Sequence, residues 1–387
     1  MTSNYTYLDV SIGGESAGRI VIELFNGAAP KTTKNFHQFC QSNAYKNTYF
    51  HRVIKNFMIQ GGDLSNGKTV KSSEYPPANI GKGGYSIYKT EDDPSGKFED
   101  ENSDYPITTP FLVCMANSGP NTNTSQFFIS TYPSPHLTGL HTVFGKVVHG
   151  KSVVRHIEKV EVISNKNNET NAWIPVEKQS VVIDECGIWK DGDDLPNSIA
   201  CTDPIGGDKY EEYPDDNEGL DLEKGDVTLK ITSTIKESAT LLFKQKRTRD
   251  AFLKYKKALR YCTELIPDEE SDKTNYKKFL DLKKTLYLNL SLTALQLQKY
   301  QTCIDYCGFL LEMDDAKLTT TQTAKVFYRL GKAYAELKKY DTALDILEKA
   351  SLFSPTDKTI ATEHQRVKQI VEDAKLTEKM KYAKFFG

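Results

Sequence analysis

Two stretches of the chain carry most of its information about fold and chemistry. They are residues 50–63, F-H-R-V-I-K-N-F-M-I-Q-G-G-D, and residues 115–128, M-A-N-S-G-P-N-T-N-T-S-Q-F-F. Together they hold one arginine, two glutamines and several aromatic side chains, but no pair of carboxylates, no nucleophile beside a base and no cluster of metal ligands. Such a set is poorly suited to cutting or joining bonds. It can hold an apolar ring and donate hydrogen bonds to a peptide backbone.

Both stretches resemble the active-site segments of the cyclophilin family of peptidyl-prolyl cis-trans isomerases, with no gap in either stretch. The resemblance implies a domain over residues 1–190 that forms a closed eight-stranded antiparallel β-barrel capped by helices. It also implies an isomerase that uses no cofactor and no metal. The rotation that such an enzyme catalyses has a barrier of about 18–20 kcal/mol. Prolyl bonds are its substrates because their cis form is populated but is reached slowly.

The pattern of apolar residues favours the same architecture. Apolar residues alternate with polar ones on both sides of Gly13-Gly14, which predicts a hairpin over residues 7–25. Helical spacing predicts short helices from Pro30 and over residues 150–160. Later strands are predicted over residues 143–148 and 181–189. Many short strands with two helices are typical of a closed antiparallel barrel with helical caps.

The resemblance also implies roles for individual residues. In the cyclophilins the arginine of F-H-R is the principal catalytic residue, and Arg52 holds that position here. A planar, always charged guanidinium can donate to the prolyl nitrogen as it turns pyramidal in the twisted state. The implied catalytic residues are Arg52, Phe57, Gln60, Phe128 and His141. The implied substrate-binding residues are Met58, Ala116, Asn117, Gln126, His136 and Leu137.

Three departures from the small cyclophilins leave the catalytic rate open. His136 stands where they carry a tryptophan, so an indole N–H is absent and we expect cyclosporin to bind only weakly. Leu140 replaces their usual basic residue. Two insertions, K-S-S-E-Y-P-P-A and T-E-D-D-P-S, lie between Gly62 and Phe98, beside the groove for residues that precede the proline. The alternative is therefore a weakly catalytic or non-catalytic scaffold that binds a chaperone and whose barrel only binds client proteins.

Composition changes after the barrel. Residues 203–226 contain ten Asp or Glu against two Lys. Because such a stretch has little apolar surface to bury, we expect residues 191–228 to be an acidic linker, as a solvated spacer or as a docking tail.

Residues 229–356 carry three copies of the 34-residue tetratricopeptide (TPR) repeat pattern. The clearest copy starts at Ala324, and weaker copies start near Lys284 and Thr232. Stacked repeats form an all-α solenoid whose apolar end must be covered. Residues 357–387 are expected to be the covering helix, with Ile360, Val367, Ile370, Val371 and Met380 as its apolar residues.

The helical half resembles chaperone-binding TPR domains, and this resemblance implies a carboxylate clamp. The implied clamp residues are Lys236, Thr240, Asn289, Lys325 and Arg329. Thr240 replaces the usual asparagine, so somewhat weaker binding is expected. The implied ligand is the acidic C-terminus, ending E-E-V-D, of heat-shock protein 90 and, in some relatives, of heat-shock protein 70. The alternative is that these charges are solvated helix surface.

The remaining composition excludes several functions. A net charge of −2 gives no general attraction to nucleic acid or to membranes, and no run of 18 apolar residues is present. The N-terminal residues do not resemble a secretory signal. Seven scattered cysteines without a C-x-x-C pair indicate free thiols, so we expect a cytoplasmic protein. The sequence thus predicts an isomerase that is also a co-chaperone for proline-containing client proteins.

Overall fold

The computed structural model describes residues 4–163, 173–190, 193, 200–217, 219–313 and 317–386, with side chains described as far as residue 377. The chain divides into two compact units, Met1–Ile199 and Ala200–Gly387. The division falls inside the segment that composition marks as a linker.

The first unit is a closed barrel of eight antiparallel strands in the order β1-β2-β7-β5-β6-β4-β3-β8, as predicted. Its elements are β1 (Tyr5–Ile12), β2 (Glu15–Leu24), α1 (Pro30–Gln41), β3 (Thr48–Ile54), β4 (Met58–Gly61), β5 (Leu112–Met115), β6 (Phe127–Ser130), β7 (Val143–His149), α2 (Lys151–Glu158) and β8 (Val181–Ile188). The predicted hairpin is β1–β2. It turns at Gly13, where φ is +58° and a Cβ would lie 2.4 Å from the carbonyl oxygen of Lys178.

The barrel core consists of the inward residues of every strand together with one face of each helix. Ile59, Phe127 and Ile129 are fully buried in it. Phe36 of α1 meets Phe127 edge to face at 5.2 Å, and Val154 of α2 joins the same cluster. The strands next to the functional site therefore have a rigid apolar backing.

In its described residues the second unit has seven helices, arranged as three hairpins and a final helix. They are α3 (Gly225–Lys244), α4 (Thr248–Glu264), α5 (Lys273–Gln296), α6 (Tyr300–Leu311), α7 (Thr320–Glu336), α8 (Tyr340–Phe353) and α9 (Lys358–Phe386). The three hairpins coincide with the three stretches that carry the repeat pattern. The insertion before the second stretch lengthens its first helix, because α5 begins at Lys273 rather than near Lys284.

Small residues let the third hairpin close. A Cβ on Gly331 would lie 2.7 Å from the Leu347 side chain, and Ala343 is fully buried. Along α9 the side chains of Ile360 and Val367 are buried against the last hairpin, and Val371 is buried as well. Ile370 is half-buried. The side chain of Met380 lies outside the described residues.

The acidic segment of residues 200–217 is packed against α3 and α4. Cys201 and Tyr213 are buried, and Cys201 belongs to the core of the helical unit. The prediction of a solvated spacer is therefore wrong for this segment. Residues 191–192, 194–199 and 218 of the predicted linker lie outside the described residues.

Ionic contacts explain this packing. The carboxylate of Asp208, whose side chain is 0% exposed, is paired with the ammonium groups of Lys254 and Lys257 on α4, the latter at 2.8 Å. Arg260 pairs with Glu212 at 2.9 Å and lies over the ring of Tyr213, 4.1 Å from its centroid. An acidic composition here reflects basic partners on a helix rather than contact with water.

Across the described part of the chain, no helix is both long enough and apolar enough to cross a membrane.

Candidate functional site

The registers of three neighbouring strands bring the predicted site residues together. Arg52 on β3 lies opposite Gln60 on β4, and Gln60 lies opposite Phe128 on β6. Successive side chains of a strand point to opposite faces. Because Ile59 and Phe127 point into the core, Gln60 and Phe128 lie on the outer face of the barrel.

A second apolar cluster covers this outer face. It contains Met58 and Phe128, together with Phe57, Ala116 and Leu137 at its edge. The cluster surrounds an open cavity of about 240 Å³, referred to below as the apolar cavity. Its lining comprises nine of the eleven residues that the sequence suggested for the site: Arg52, Phe57, Met58, Gln60, Ala116, Asn117, Phe128, Leu137 and His141.

Among these nine residues, Arg52 is the one with a permanent positive charge. The Arg52 side chain is exposed and forms no ion pair or hydrogen bond with another described residue. Its N–H groups are therefore available to a molecule in the cavity.

His141 forms one wall of the cavity as a neutral ring. Its ring meets Phe128 edge to face at 5.2 Å, and its Nδ1 lies 3.0 Å from the carbonyl oxygen of Met115. A carbonyl only accepts, so the contact fixes the proton on Nδ1. Burial lowers the pKa of His141 below its usual value, which keeps the ring neutral at neutral pH.

Two of the suggested residues do not line the apolar cavity. His136 stacks on the ring of Phe57, with ring centroids 5.6 Å apart. Gln126 donates from Nε2 to the carbonyl oxygens of Gly81 and Gly83 at 3.0 and 2.6 Å, and its Oε1 accepts from Gln60 at 2.9 Å. The carboxamide of Gln126 is thus engaged within the protein and holds Gln60 in place.

A second cavity of about 300 Å³ adjoins the first and shares Gln60, Ala116 and Asn117 with it. The sequence implied a groove for the residues before the proline beside the second insertion, but most of the lining of this polar cavity was not suggested. Its remaining lining residues are Gly81, Lys82, Gly83, Gly84, Ser95, Lys97, Ser118, Thr122, Thr124 and Gln126.

Asp63 organises the wall of the polar cavity and was likewise missed. Its fully buried carboxylate accepts from the backbone N–H groups of Ser65, Asn66, Gly81 and Gly83 at 2.8–3.0 Å. A Cβ on Gly83 would lie 2.7 Å from Asp63 Oδ1, so the close approach needs glycine. The available signal was a single carboxylate that ends an apolar run at G-G-D.

His51, next to Arg52, is buried behind the same loop. Neither ring nitrogen has a hydrogen-bond partner within the described residues. Burial lowers the pKa of His51 to about 4, so the ring is neutral at neutral pH.

Only one of the two insertions reaches the cavities. In the first insertion, Tyr75 packs edge-on against Tyr49 and donates to the carbonyl oxygen of Pro175 at 2.6 Å. The second ends at Ser95, which lines the polar cavity. Of the two insertions, only the second therefore contributes a residue to the lining of a cavity.

The suggested clamp residues lie on the first helix of each hairpin: Lys236 and Thr240 on α3, Asn289 on α5, and Lys325 and Arg329 on α7. Lys325 is exposed without an ion partner among the described residues. Arg329 is half-buried and donates to the carbonyl oxygen of Leu288 at 2.6 Å and to Ser291 Oγ at 3.0 Å. This ties α7 to α5 beside Asn289.

The hydroxyl of Thr240 is engaged in hydrogen bonds within its own helical hairpin. Its Oγ1 donates to the carbonyl oxygen of Lys236 at 3.0 Å and accepts from the hydroxyl of Tyr255 at 3.2 Å. The single proton of this hydroxyl is therefore already used within α3 and is not free for a bound peptide.

The apolar cavity can hold a ring of proline size, with Arg52 and Gln60 at its polar side. Within the described residues no group of three or more His, Cys, Asp or Glu side chains could hold a metal ion. The arrangement of an apolar lining beside a free guanidinium and a carboxamide suits binding and polarising a peptide.

Comparison with known proteins identifies a matching family and a full-length relative. A family model described as "Cyclophilin type peptidyl-prolyl cis-trans isomerase/CLD" matches residues 7–186. The chain is also 42% identical to the peptidyl-prolyl cis-trans isomerase CYP7 of Saccharomyces cerevisiae over 401 residues, covering 98% of each protein.

Proposed function

Since the chain belongs to the cyclophilin-type peptidyl-prolyl cis-trans isomerases, we propose that its apolar cavity binds the proline whose peptide bond is turned. The observation that carries the proposal is the single cavity in which Arg52, Gln60, Phe128 and His141 meet. Phe57, Met58, Phe128 and Leu137 would hold the pyrrolidine ring, because their surfaces are apolar.

Arg52 would lower the barrier by donating to the prolyl nitrogen. Twisting the bond removes its resonance, so the nitrogen becomes pyramidal and gains a lone pair. A donor placed where that lone pair develops stabilises the twisted state more than the planar one. Gln60, oriented by Gln126, and Asn117 would hold the neighbouring backbone, so that only one side of the bond rotates.

Substitution of the arginine tests this mechanism. Loss of one such donor costs about 10²–10³-fold in rate, and we expect a loss of this order in kcat/KM for Arg52→Ala on a proline peptide. Arg52→Lys keeps the charge but loses the planar fork and should recover only part of the activity. Lys55→Ala, an exposed change outside the lining, is the control. Equal rates for Arg52→Ala and the unchanged protein would refute the mechanism and favour the binding scaffold.

We further propose that the helical unit is a co-chaperone module for the acidic C-terminus of heat-shock protein 90. Support comes from the unpaired ammonium of Lys325, the neighbouring guanidinium of Arg329 and the carboxamide of Asn289, which has no hydrogen-bond partner among the described residues. Two carboxylates of an extended peptide would accept charge-assisted hydrogen bonds from these groups. Because Thr240 uses its proton internally, binding would rest on Lys236, Asn289, Lys325 and Arg329.

Peptide binding tests the clamp. We expect Lys325→Ala with Arg329→Ala to abolish binding of a peptide ending E-E-V-D. Since Arg329 also ties α7 to α5, Lys325→Ala alone is the cleaner variant, and Lys349→Ala on α8 is its matched control. Retained affinity in Lys325→Ala would contradict the proposal, and a peptide ending in amidated, uncharged residues should not bind.

Two smaller proposals concern the compartment of the protein and its binding of cyclosporin. All seven cysteines are unpaired thiols and all are buried, which fits a reducing compartment such as the cytoplasm.

Cyclosporin would bind weakly, because His136 lies on Phe57 where an indole N–H would otherwise be presented. A gain in cyclosporin affinity in His136→Trp, with kcat/KM little changed, is the expected result.

A further inference from the structure

The polar cavity beside the apolar one points to a substrate preference. We propose that Lys82 and Lys97 make the enzyme select proline peptides with an anionic side chain, a carboxylate or a phosphate, close to the proline. This inference rests on the proposed role of the apolar cavity as the proline site.

The two cavities are continuous. They share Gln60, Ala116 and Asn117 as their common border. An extended peptide advances about 3.3–3.6 Å per residue. With a proline in the apolar cavity, the side chain of a residue one or two positions away therefore falls in the polar cavity.

The charge of the polar cavity is one-sided. Its lining contains two lysines and no acidic residue. Both lysines are exposed, and neither forms an ion pair within the described residues. A bound anion would therefore meet two ammonium groups that have no competing partner.

The acidic groups in the segments beside this lining form no ion pair with either lysine. Asp63 lies behind the wall, with its carboxylate taking four backbone N–H groups. Asp93 accepts the hydroxyl of Ser95 at 2.7 Å and its backbone N–H at 3.1 Å. Glu91 and Asp92, in the same exposed insertion, form no ion pair with either lysine.

The backbone that carries the two lysines is held in place. Gly81 and Gly83, on either side of Lys82, donate to Asp63 and accept from Gln126. Lys97 precedes Phe98, whose backbone exchanges two hydrogen bonds of 3.2 Å with Asn123. Binding an anion would thus order only the lysine side chains, and that lowers its entropic cost.

A charge scan of the substrate tests the preference. Proline peptides would carry Glu, phosphoserine, Gln or Lys at each of the two positions before and the two after the proline, with kcat/KM measured for each. An exposed ion pair contributes about 0.2–1 kcal/mol, so two lysines predict Glu over Gln by about 2- to 30-fold at the favoured position. The ratio should shrink toward one at high salt.

Charge reversal assigns the effect to these lysines. Lys82→Glu with Lys97→Glu should invert the ratio, so that the Lys peptide becomes the better substrate. Lys178→Glu, a change at another exposed lysine outside the lining, should keep the original ratio. Both changes are on the surface, and circular dichroism checks folding.

The outcomes separate this inference from the isomerase mechanism. If the unchanged protein turns over the Gln peptide and Arg52→Ala does not, the role of the apolar cavity as the proline site is supported, whatever the charge scan gives. Equal kcat/KM for Glu, phosphoserine and Gln at all four positions would overturn the anion preference. A preference for phosphoserine alone would support it with phosphate as the anion selected.

Discussion

The barrel unit and the helical unit each contain an aspartate whose fully buried carboxylate is the centre of a polar cluster, and they neutralise it in different ways. In the barrel, Asp63 accepts from four backbone N–H groups and has no ionic partner among its hydrogen bonds. In the helical unit, Asp208 is held by the ammonium groups of Lys254 and Lys257, both buried as well. Burial lowers the pKa of Lys257, which shows that part of the favourable pairing is offset by desolvation.

The difference indicates which part of each unit depends on its buried aspartate. Asp63 organises two loops, so its removal would free the wall of the polar cavity while the barrel core stays packed. Asp208 belongs to a cluster in which each charge needs the others, so its removal would leave two ammonium groups buried without a carboxylate. Breaking a buried ion pair costs more than replacing all of it.

The largest effect is expected for Asp208→Ala. Removing one member of a buried ion pair costs about 3–5 kcal/mol, and we expect a loss of this size in the free energy of unfolding of the helical unit. Both tryptophans, Trp173 and Trp189, lie in the barrel unit. Far-ultraviolet circular dichroism would therefore report the early loss of helix, while tryptophan fluorescence should change little.

The matched control replaces the whole cluster. Asp208→Leu with Lys254→Met and Lys257→Met removes every charge together and should restore most of the stability. If the triple variant is as unstable as Asp208→Ala, shape rather than charge holds the acidic segment.

The barrel was predictable from the sequence because its signals are local. Alternation on both sides of Gly13-Gly14 fixes a hairpin, and helical spacing after Pro30 fixes α1. The acidic segment was not predictable in this way. Its partner Lys254 lies 46 residues beyond Asp208, on a helix whose lysines look solvated in sequence. Only the fold shows that the two groups meet.

The residues of the functional site also differ in whether local sequence could suggest them. Residues with direct contact to the apolar cavity lie in two gap-free stretches or close to them, so a motif could suggest them. Lys82 and Lys97 were missed because they come from a loop whose path depends on Asp63 and Gln126. The role of Gln126 differed from expectation for the same reason, since its partners Gly81 and Gly83 are remote in sequence.

The next largest effect is the response of the barrel to acid. The pKa of His51 is about 4 in the folded protein and about 6.5 in an unfolded chain. The unfolded chain therefore takes up the proton first, and stability falls as the pH drops from about 6.5 to about 4, by up to about 3 kcal/mol. Denaturant unfolding followed by tryptophan fluorescence at a series of pH values measures this loss, and His51→Phe should flatten it. An unchanged pH dependence in His51→Phe would show that the ring finds a partner for its proton.

A smaller effect is expected for Asp63→Ala. A buried donor left without its acceptor costs about 1–3 kcal/mol, but water can reach a loosened loop, so we expect a total loss in barrel stability within that range. Because Gln126 and Gln60 depend on the same loop, KM for a proline peptide should rise more than kcat falls. Hydrogen exchange should speed up at Gly81 and Gly83 and stay slow in β6. Unchanged exchange at the two glycines would contradict the assigned role of Asp63.

The smallest effect is expected for Arg247→Ala, which compares an exposed ion pair of the acidic segment with the buried pairs of Asp208. Arg247 pairs with Asp203 and with Asp250, as Lys257 does with Asp208, but its side chain is 41% exposed. Exposed pairs contribute about 0.2–1 kcal/mol, so Arg247→Ala should lower the stability of the helical unit by less than about 1 kcal/mol. The measurement is the one used for Asp208→Ala, and its salt dependence adds a second criterion. Raising the salt concentration should erase the difference between Arg247→Ala and the unchanged protein, because water screens that pair, but should leave the deficit of Asp208→Ala. Deficits of equal size in the two variants would mean that the segment is held by its total charge, and that burial of Asp208 is not what fixes it to α4.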